Sequence, residues 1–326
     1  MTKYGLGMLA ILAIAGCSSD TDQETRVEER VPVTFQLAKS PISITRAATT
    51  TYGDGVWDTG MEVAVKCTQG TEGDINLIKK YVTSNNGSGG FKLEGYNPLN
   101  TFYWLDKTDT KSFQFWYPYS AAMPTGMSVD KDQSDLNNCN DAEFASYDLL
   151  YAEVSGVKSS DMPVATLSFY HQMALLSVTI TSISTEFSDE EVTEVKLGND
   201  DVAVTCSSWT PKASNYTTSG TGAGWTVSNS DKINTVTLRK VSSTNYICIL
   251  PPQTVGSAST ILLSIKTNKF TDHGSKYYTC KGSIDLKAGN ITEVEVSITP
   301  QEIKLNPTNI VPWAQQTPES LDNVIL

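Results

Sequence analysis

Few side chains in this sequence are of types that do covalent chemistry, and the first of them is a cysteine. Cys17 closes the small-residue run Ile14-Ala15-Gly16-Cys17 behind Lys3 and the apolar stretch Leu6–Ala15, which is too short to span a bilayer. This is the pattern of a bacterial lipoprotein signal. It predicts that residues 1–16 are removed and that Cys17 is lipidated as the new first residue; an ordinary secretory signal with an incidental cysteine is the competing reading. The remaining cysteines, Cys67, Cys139, Cys206, Cys248 and Cys280, are odd in number and show no CxxC spacing. One disulfide among them stays open, and Cys248, inside Tyr246–Leu250, reads as a small buried hydrophobe. The two histidines, His171 and His273, lie far apart, so no zinc site is expected, and His171 sits in an apolar row as a hydrogen-bonded core residue would. No GxSxG, HExxH or phosphate loop is present. Glu190-Glu191 and Asp200-Asp201 read as solvated charge, so no catalytic residues, metal or cofactor are predicted. Asp130 to Asp135, with Asp141, have a calcium-loop flavour. The sixth position is Asp135 rather than glycine and the twelfth is Asp141 rather than glutamate, so Met123–Ala142 reads as a solvated loop.

Charge narrows the partners. Twenty-four Lys and Arg face 36 Asp and Glu, a net charge of −12. The chain up to Arg46 holds five of each sign, so the whole excess falls after it. Phosphate neutralisation needs clustered cations, and nucleic acid is excluded as a partner. Ser18–Glu29 is acidic and lacks apolar periodicity, as a tether does.

The elements that would position these residues are strands. Val31, Val33, Phe35 and Leu37 alternate with Pro32, Thr34, Gln36 and Ala38, Lys39-Ser40-Pro41 breaks the pattern, and Ile42 and Ile44 resume it up to Arg46. This stretch is either a first strand with a surface arginine or a strand that can be removed. Thr101–Leu105 and Ser112–Tyr119 read as two aromatic strands joined by Asp106–Lys111. Trp104, Trp116 and Tyr117 are then sandwich core or, in the rival reading of a surface glycan-binding lipoprotein, a sugar-stacking platform. Ala165 to Met173 alternates, and the parity shifts at Ala174, Leu176, Val178 and Ile180, which predicts a bulge or a crossing between sheets. Ile261–Ile265, Lys276–Ile284 and Ile291–Ile298 keep period two, and Ile303, Leu305, Ile310 and Trp313 extend it. No stretch sustains a helical period, so the chain is predicted to be all-β, and the roughly 280 residues after Arg46 suffice for two sandwiches, 47–163 and 164–326.

Several segments together resemble the fimbrillin family of Bacteroidetes, the lipoprotein pilins and fimbrillin-like subunits. They are the Cys17 motif, Ile44-Thr45-Arg46-Ala47, Trp57–Val63, Leu149-Leu150-Tyr151-Ala152, Leu167–Ala174, Ile249–Thr254, Leu286–Asn290 and Ile310-Val311-Pro312-Trp313. Met61-Glu62 departs from the family pattern after Trp57, and so does the C-terminal tail. The resemblance implies two tandem transthyretin-like β-sandwich domains carried to the outer membrane by the lipid on Cys17. It implies that an Arg-specific surface protease cuts Arg46–Ala47 and removes residues 17–46 with the strand Val31, Val33, Phe35, Leu37. Another fimbrial subunit then donates a strand to the vacated groove, with Ile303, Leu305, Ile310 and Trp313 as the candidate donor segment. The implied partners are other subunits, that protease, and a host or bacterial surface ligand.

Overall fold

Alternating apolar residues set the strands of the first half, and turn residues separate them. The computed structural model describes residues 30–38, 57–87, 90–134, 139, 141–161, 166–183, 191–213, 225–227, 232–233, 235–268, 278–298, 303–305 and 309–312. An eight-stranded sheet is built from β1 (Phe35–Leu37), β2 (Glu62–Gln69), β3 (Ile78–Asn85), β4 (Phe91–Gly95) and β5 (Thr110–Tyr117). Beyond β6 (Met127–Ser128), which pairs elsewhere, it adds β7 (Leu150–Lys158), β8 (Thr166–Leu167) and β9 (Tyr170–His171). The order is β8-β1-β4-β3-β2-β5-β7-β9. Its core holds Val33, Phe35, Val63, Val65, Tyr81, Leu93, Phe102, Phe113, Phe115, Leu167 and Phe169.

The second half begins with β10 (Ala174–Ile183) and β11 (Val192–Leu197), followed by short β12 (Val202–Ala203), β13 (Thr205–Ser208), β14 (Thr226–Val227), β15 (Lys232–Ile233), β16 (Val236–Thr237) and β17 (Arg239–Lys240). Longer β18 (Asn245–Leu250), β19 (Gln253–Thr267), β20 (Tyr278–Leu286) and β21 (Asn290–Ile298) lead to β22 (Ile303–Leu305) and β23 (Asn309–Pro312). One sheet runs β17-β18-β10-β21-β22, with β23 also on β21, and another runs β16-β11-β19-β20. A second core forms from residues of both, including Val178, Val195, Leu238, Tyr246, Cys248, Leu263 and Val296. Strand makes up 58% of the structure and helix 5%; among the described residues the one α-helix, α1 (Asp141–Ser146), has six residues.

The two cores share one compact unit, residues 31–326. Leu167 and Phe169 pack in the first core and Met173, Ala174 and Leu175 in the second, so the parity shift marks the passage of the chain from one to the other. A strand lies between them as well: Leu150 and Ala152 of β7 face the first core, whereas Leu149 and Tyr151 face the second.

Two readings need correction. Thr101–Leu105 is not a strand of a sheet; Tyr103 makes only an isolated antiparallel bridge to Pro32. Phe102 and Trp104 are buried, so the alternation is real, but the Phe102 N–H is satisfied by the Tyr81 hydroxyl at 3.0 Å rather than by a ladder. Met123–Ala142 is not a solvated loop either. Val129, Cys139 and Gln133 are buried, β6 pairs with β13, and Asp132 bridges in parallel to Thr237.

The five cysteines after Cys17 are free and buried. Burial pushes the thiols of Cys67, Cys206 and Cys280 up to about 11. At pH 8 the folded protein should therefore resist iodoacetamide at these sites, and urea should expose them; labelling at equal rates with and without urea would contradict this burial.

Candidate functional site

The segment Val31–Ala38 enters the first sheet with neighbours on both sides. β1 pairs antiparallel with β4, Phe35 opposite Leu93 and Leu37 opposite Phe91. On its other side it pairs in parallel with two-residue β8, Gln36 opposite Thr166 and Leu37 opposite Leu167, and the Ala38 amide donates to the Leu167 carbonyl at 2.8 Å. Upstream, the Val33 amide donates to the Phe102 carbonyl, and the Trp104 amide to the Val31 carbonyl, each at 2.9 Å. Backbone groups of successive residues in an extended chain point to opposite sides. Odd residues of the segment therefore bond inward, to Phe102–Trp104 and β4, and even ones face β8.

Side-chain alternation does the rest. Val33 and Phe35 are wholly buried and Leu37 is 8% exposed. Val31, expected in the same row, is 55% exposed, because it lies at the solvent end where the chain enters. The Phe35 ring meets Phe113 edge-on at 5.2 Å and Phe115 at 4.9 Å between centroids, with Tyr81 at 6.3 Å. Tyr81 donates its hydroxyl to the Val33 carbonyl at 3.2 Å, and burial raises its pKa far above that of a free phenol, so the group stays a neutral donor. The site is thus a groove walled by β4, the Phe102–Trp104 segment and β8, floored by aromatic rings and filled by β1.

Sequence reasoning singled out the filler and missed the socket. Tyr81, Leu93, Phe113 and Leu167 sit in ordinary alternating runs, and no local signal sets them apart, since their common role arises only from sheet order.

The candidate donor segment has a seat of its own. β22 pairs antiparallel with β21, Ile303 opposite Ile298 and Leu305 opposite Val296. β23 follows on the same edge, Ile310 opposite Thr292 and Pro312 opposite Asn290. Odd residues of β22 and even residues of β23 stand opposite the even positions of β21. Ile303, Leu305, Ile310 and Pro312 thereby all stand opposite buried residues of β21. Leu305 reaches Gly282 of β20 so closely that a Cβ there would lie 3.0 Å from its Cδ1.

Cys17, Arg46, Ala47 and Trp313 lie outside the described residues. Trp104 is 2% exposed, Trp116 is wholly buried and Tyr117 is 9% exposed, so the sugar-stacking platform is corrected: these rings are core, and Trp116 spends its indole N–H on the Ser120 hydroxyl at 2.9 Å. His171 Nδ1 lies 2.8 Å from the Asp148 carboxylate, both buried, a clamp between β9 and the approach to β7. Among the described residues no group of three or more His, Cys, Asp and Glu is arranged to hold a metal ion.

In this all-β chain the first strand lies in a groove lined by aromatic rings. Residues 45–313 match the fimbrillin-like family model, and the chain belongs to that family. Membership brings the role of a structural fimbrial subunit, a cell-surface or fimbrial location and assembly with other fimbrial subunits. The chain is similar to the crystal structure of a candidate cell adhesion protein from Bacteroides uniformis, with 17% identity, a TM-score of 0.61 and coverage of 88% of this chain and 99% of that one. It is also similar to one from Bacteroides ovatus, at 16% identity and TM-score 0.56, covering 89% and 99%. At these identities the likeness shows the fold. No curated protein matches the chain in sequence.

Proposed function

We propose that this chain is a fimbrial subunit exported as a lipoprotein on Cys17, activated by Arg-specific cleavage after Arg46, and polymerised when another subunit's strand replaces β1. The observation that carries the reading is the seating of Val33, Phe35 and Leu37. They are buried in a groove as an eight-residue insert, followed downstream by the stretch that holds Arg46. Burial of three such side chains is worth about 1.5–3 kcal/mol each as an upper bound, a large part of the roughly 5–15 kcal/mol that stabilises a typical domain. A subunit that loses them has two strand edges without a partner, β4 and β8, and an empty aromatic pocket, and both draw in a replacement strand.

The reading fixes where cleavage is productive. Arg26 and Arg30 precede the strand, so cutting there leaves it in place. Incubating the lipid-free precursor with an Arg-specific endoprotease should yield a stable product beginning at Ala47, followed by ladders on gels. A precursor whose Arg46 resists while the fold stays intact, or a trimmed protein that stays monomeric at high concentration, would sink the proposal. In cells, Cys17→Ala should abolish incorporation of a palmitate analogue; undiminished labelling would place the lipid elsewhere.

A further inference from the structure

Few large apolar side chains of this chain face water, and those that do are gathered in one place. Of the seven such residues among the described ones, six are Val31, Ile75, Leu77, Tyr96, Leu99 and Leu105. All six stand at one end of the first sheet, where β1, β3 and β5 begin and β2 and β4 end. Leu99 is 87% and Leu105 64% exposed, although the neighbouring Phe102 and Trp104 are core. The seventh, Val241, belongs to the second half.

Polar bonds tie this end down. Lys111, whose side chain is wholly buried, reaches Asp74 at 2.7 Å and Asp109 at 3.1 Å. It thereby joins the turn that carries Ile75 and Leu77 to the loop that carries Leu105. The Asp109 carboxylate also accepts the Leu105 amide at 2.9 Å. Lys79 donates to the Thr101 carbonyl at 2.7 Å, and the bond from the Trp104 amide sets Val31 beside Leu105. Leucines held out into solvent by such a frame form a contact surface.

Two observations say what that surface meets. The first is where the chain comes from. The described residues begin at Arg30, and Val31 stands in the patch. Cys17 precedes Val31 by 14 residues, a reach of at most about 50 Å. The end that carries the leucines is therefore the end at which a tether from a membrane-held Cys17 arrives. The second is charge. Among the described residues of this end (30–31, 70–79, 95–111 and 156–158) the bases Arg30, Lys79, Lys107, Lys111 and Lys158 outnumber four acids. The chain as a whole carries −12, so an anionic surface repels most of it and is tolerated here. A second copy fits less well. Val241 is the one other exposed large apolar residue among those described, so two copies have only patch against patch to offer.

We propose that this end of the first sheet docks on the bilayer that holds the lipid of Cys17, with Leu99 and Leu105 entering the lipid and Val31, Ile75 and Leu77 at its surface. The inference rests on the lipoprotein reading. Because Val31 belongs to the leader, cleavage after Arg46 removes both the anchor and one edge of the docking face, and docking is a property of the uncleaved subunit.

The test supplies the anchor chemically, so it does not depend on whether cells lipidate Cys17. The uncleaved chain from Cys17 to Leu326 is coupled through the Cys17 thiol to a maleimide phospholipid, in vesicles of phosphatidylethanolamine and phosphatidylglycerol; the other cysteines are buried. Leu99→Trp and Leu105→Trp should then be quenched by brominated acyl chains, and Val241→Trp should not. Without the anchor, the unaltered chain should sediment with the same vesicles, and Leu99→Ser/Leu105→Ser should do so at least about 10-fold less. Equal quenching at the three positions, or sedimentation that is absent or unchanged by the double substitution, would overturn the inference. A chain that ignores vesicles and forms dimers in solution, lost in the double variant, would assign the face to a second copy instead. Palmitate labelling that survives Cys17→Ala in cells would refute the lipoprotein reading alone and leave the vesicle result standing.

Discussion

Phe35→Ala in the uncleaved protein should lower the unfolding free energy by about 3–5 kcal/mol, the usual cost of emptying a buried aromatic site. The ring is wholly buried and meets two others edge-on within 5.2 Å, a geometry that adds to the area term. The groove cannot easily collapse on the void, because its walls are strands held in register by β3 and β2 behind them. Urea unfolding monitored by tryptophan fluorescence checks this. After cleavage at Arg46 the same substitution should speed release of the leader by more than about 100-fold, since each 1.4 kcal/mol is a factor of ten. A loss below about 1 kcal/mol would mean that β1 is a surface strand and that the groove is not its seat.

Gln133→Ala should rival it, with a loss of about 2–6 kcal/mol. Gln133 is wholly buried, and its amide stands in for a missing strand. Its Nε2 donates to the Ile249 carbonyl at 2.8 Å, and its Oε1 accepts from the Ile249 amide at 2.9 Å. β17 pairs only with Tyr246 and Ile247 of β18, so beyond that point β18 has the Gln133 side chain for a neighbour. Alanine leaves a buried N–H and a buried C=O without partners, at about 1–3 kcal/mol each. Gln133→Glu keeps the acceptor but sets a carboxylate oxygen against the Ile249 carbonyl, and should be at least as damaging. Denaturation curves of the three proteins decide it, and an unfolding free energy unchanged within about 0.5 kcal/mol in Gln133→Ala would refute the role.

The alternation from Val31 to Leu37 was legible from the residues because period two is a local signal. So were the all-β class and the passage of the chain at Ala174 from one core to the other. The socket was not, because Tyr81, Leu93 and Phe113 meet only through strand order, which no local pattern encodes. Gln133 was missed for a related reason. A polar residue in an acid-rich stretch reads as solvated, and its burial is tolerable only because a distant backbone residue, Ile249, satisfies both ends of the amide. Thr101–Leu105 was misread because burial alternates there while the backbone bonds to a phenol. The tail shows the converse case: its apolar residues, odd at Ile303 and Leu305 and even at Ile310, look irregular in sequence, yet all stand opposite even-numbered buried residues of β21.

Among the described residues three passages of the chain join the two cores, at the approach to Val129, around Leu149–Leu150 and around Phe169–Met173. In a fibre assembled as proposed, by a strand seated in the groove, tension would be carried through this subunit's two cores. Parting the cores would then require dragging Val129–Tyr147 out of the second one, against the two bonds of Gln133, rather than straightening one linker. If subunits assemble as proposed, such a subunit should resist extension under load, whereas two beads on a single tether would extend at once.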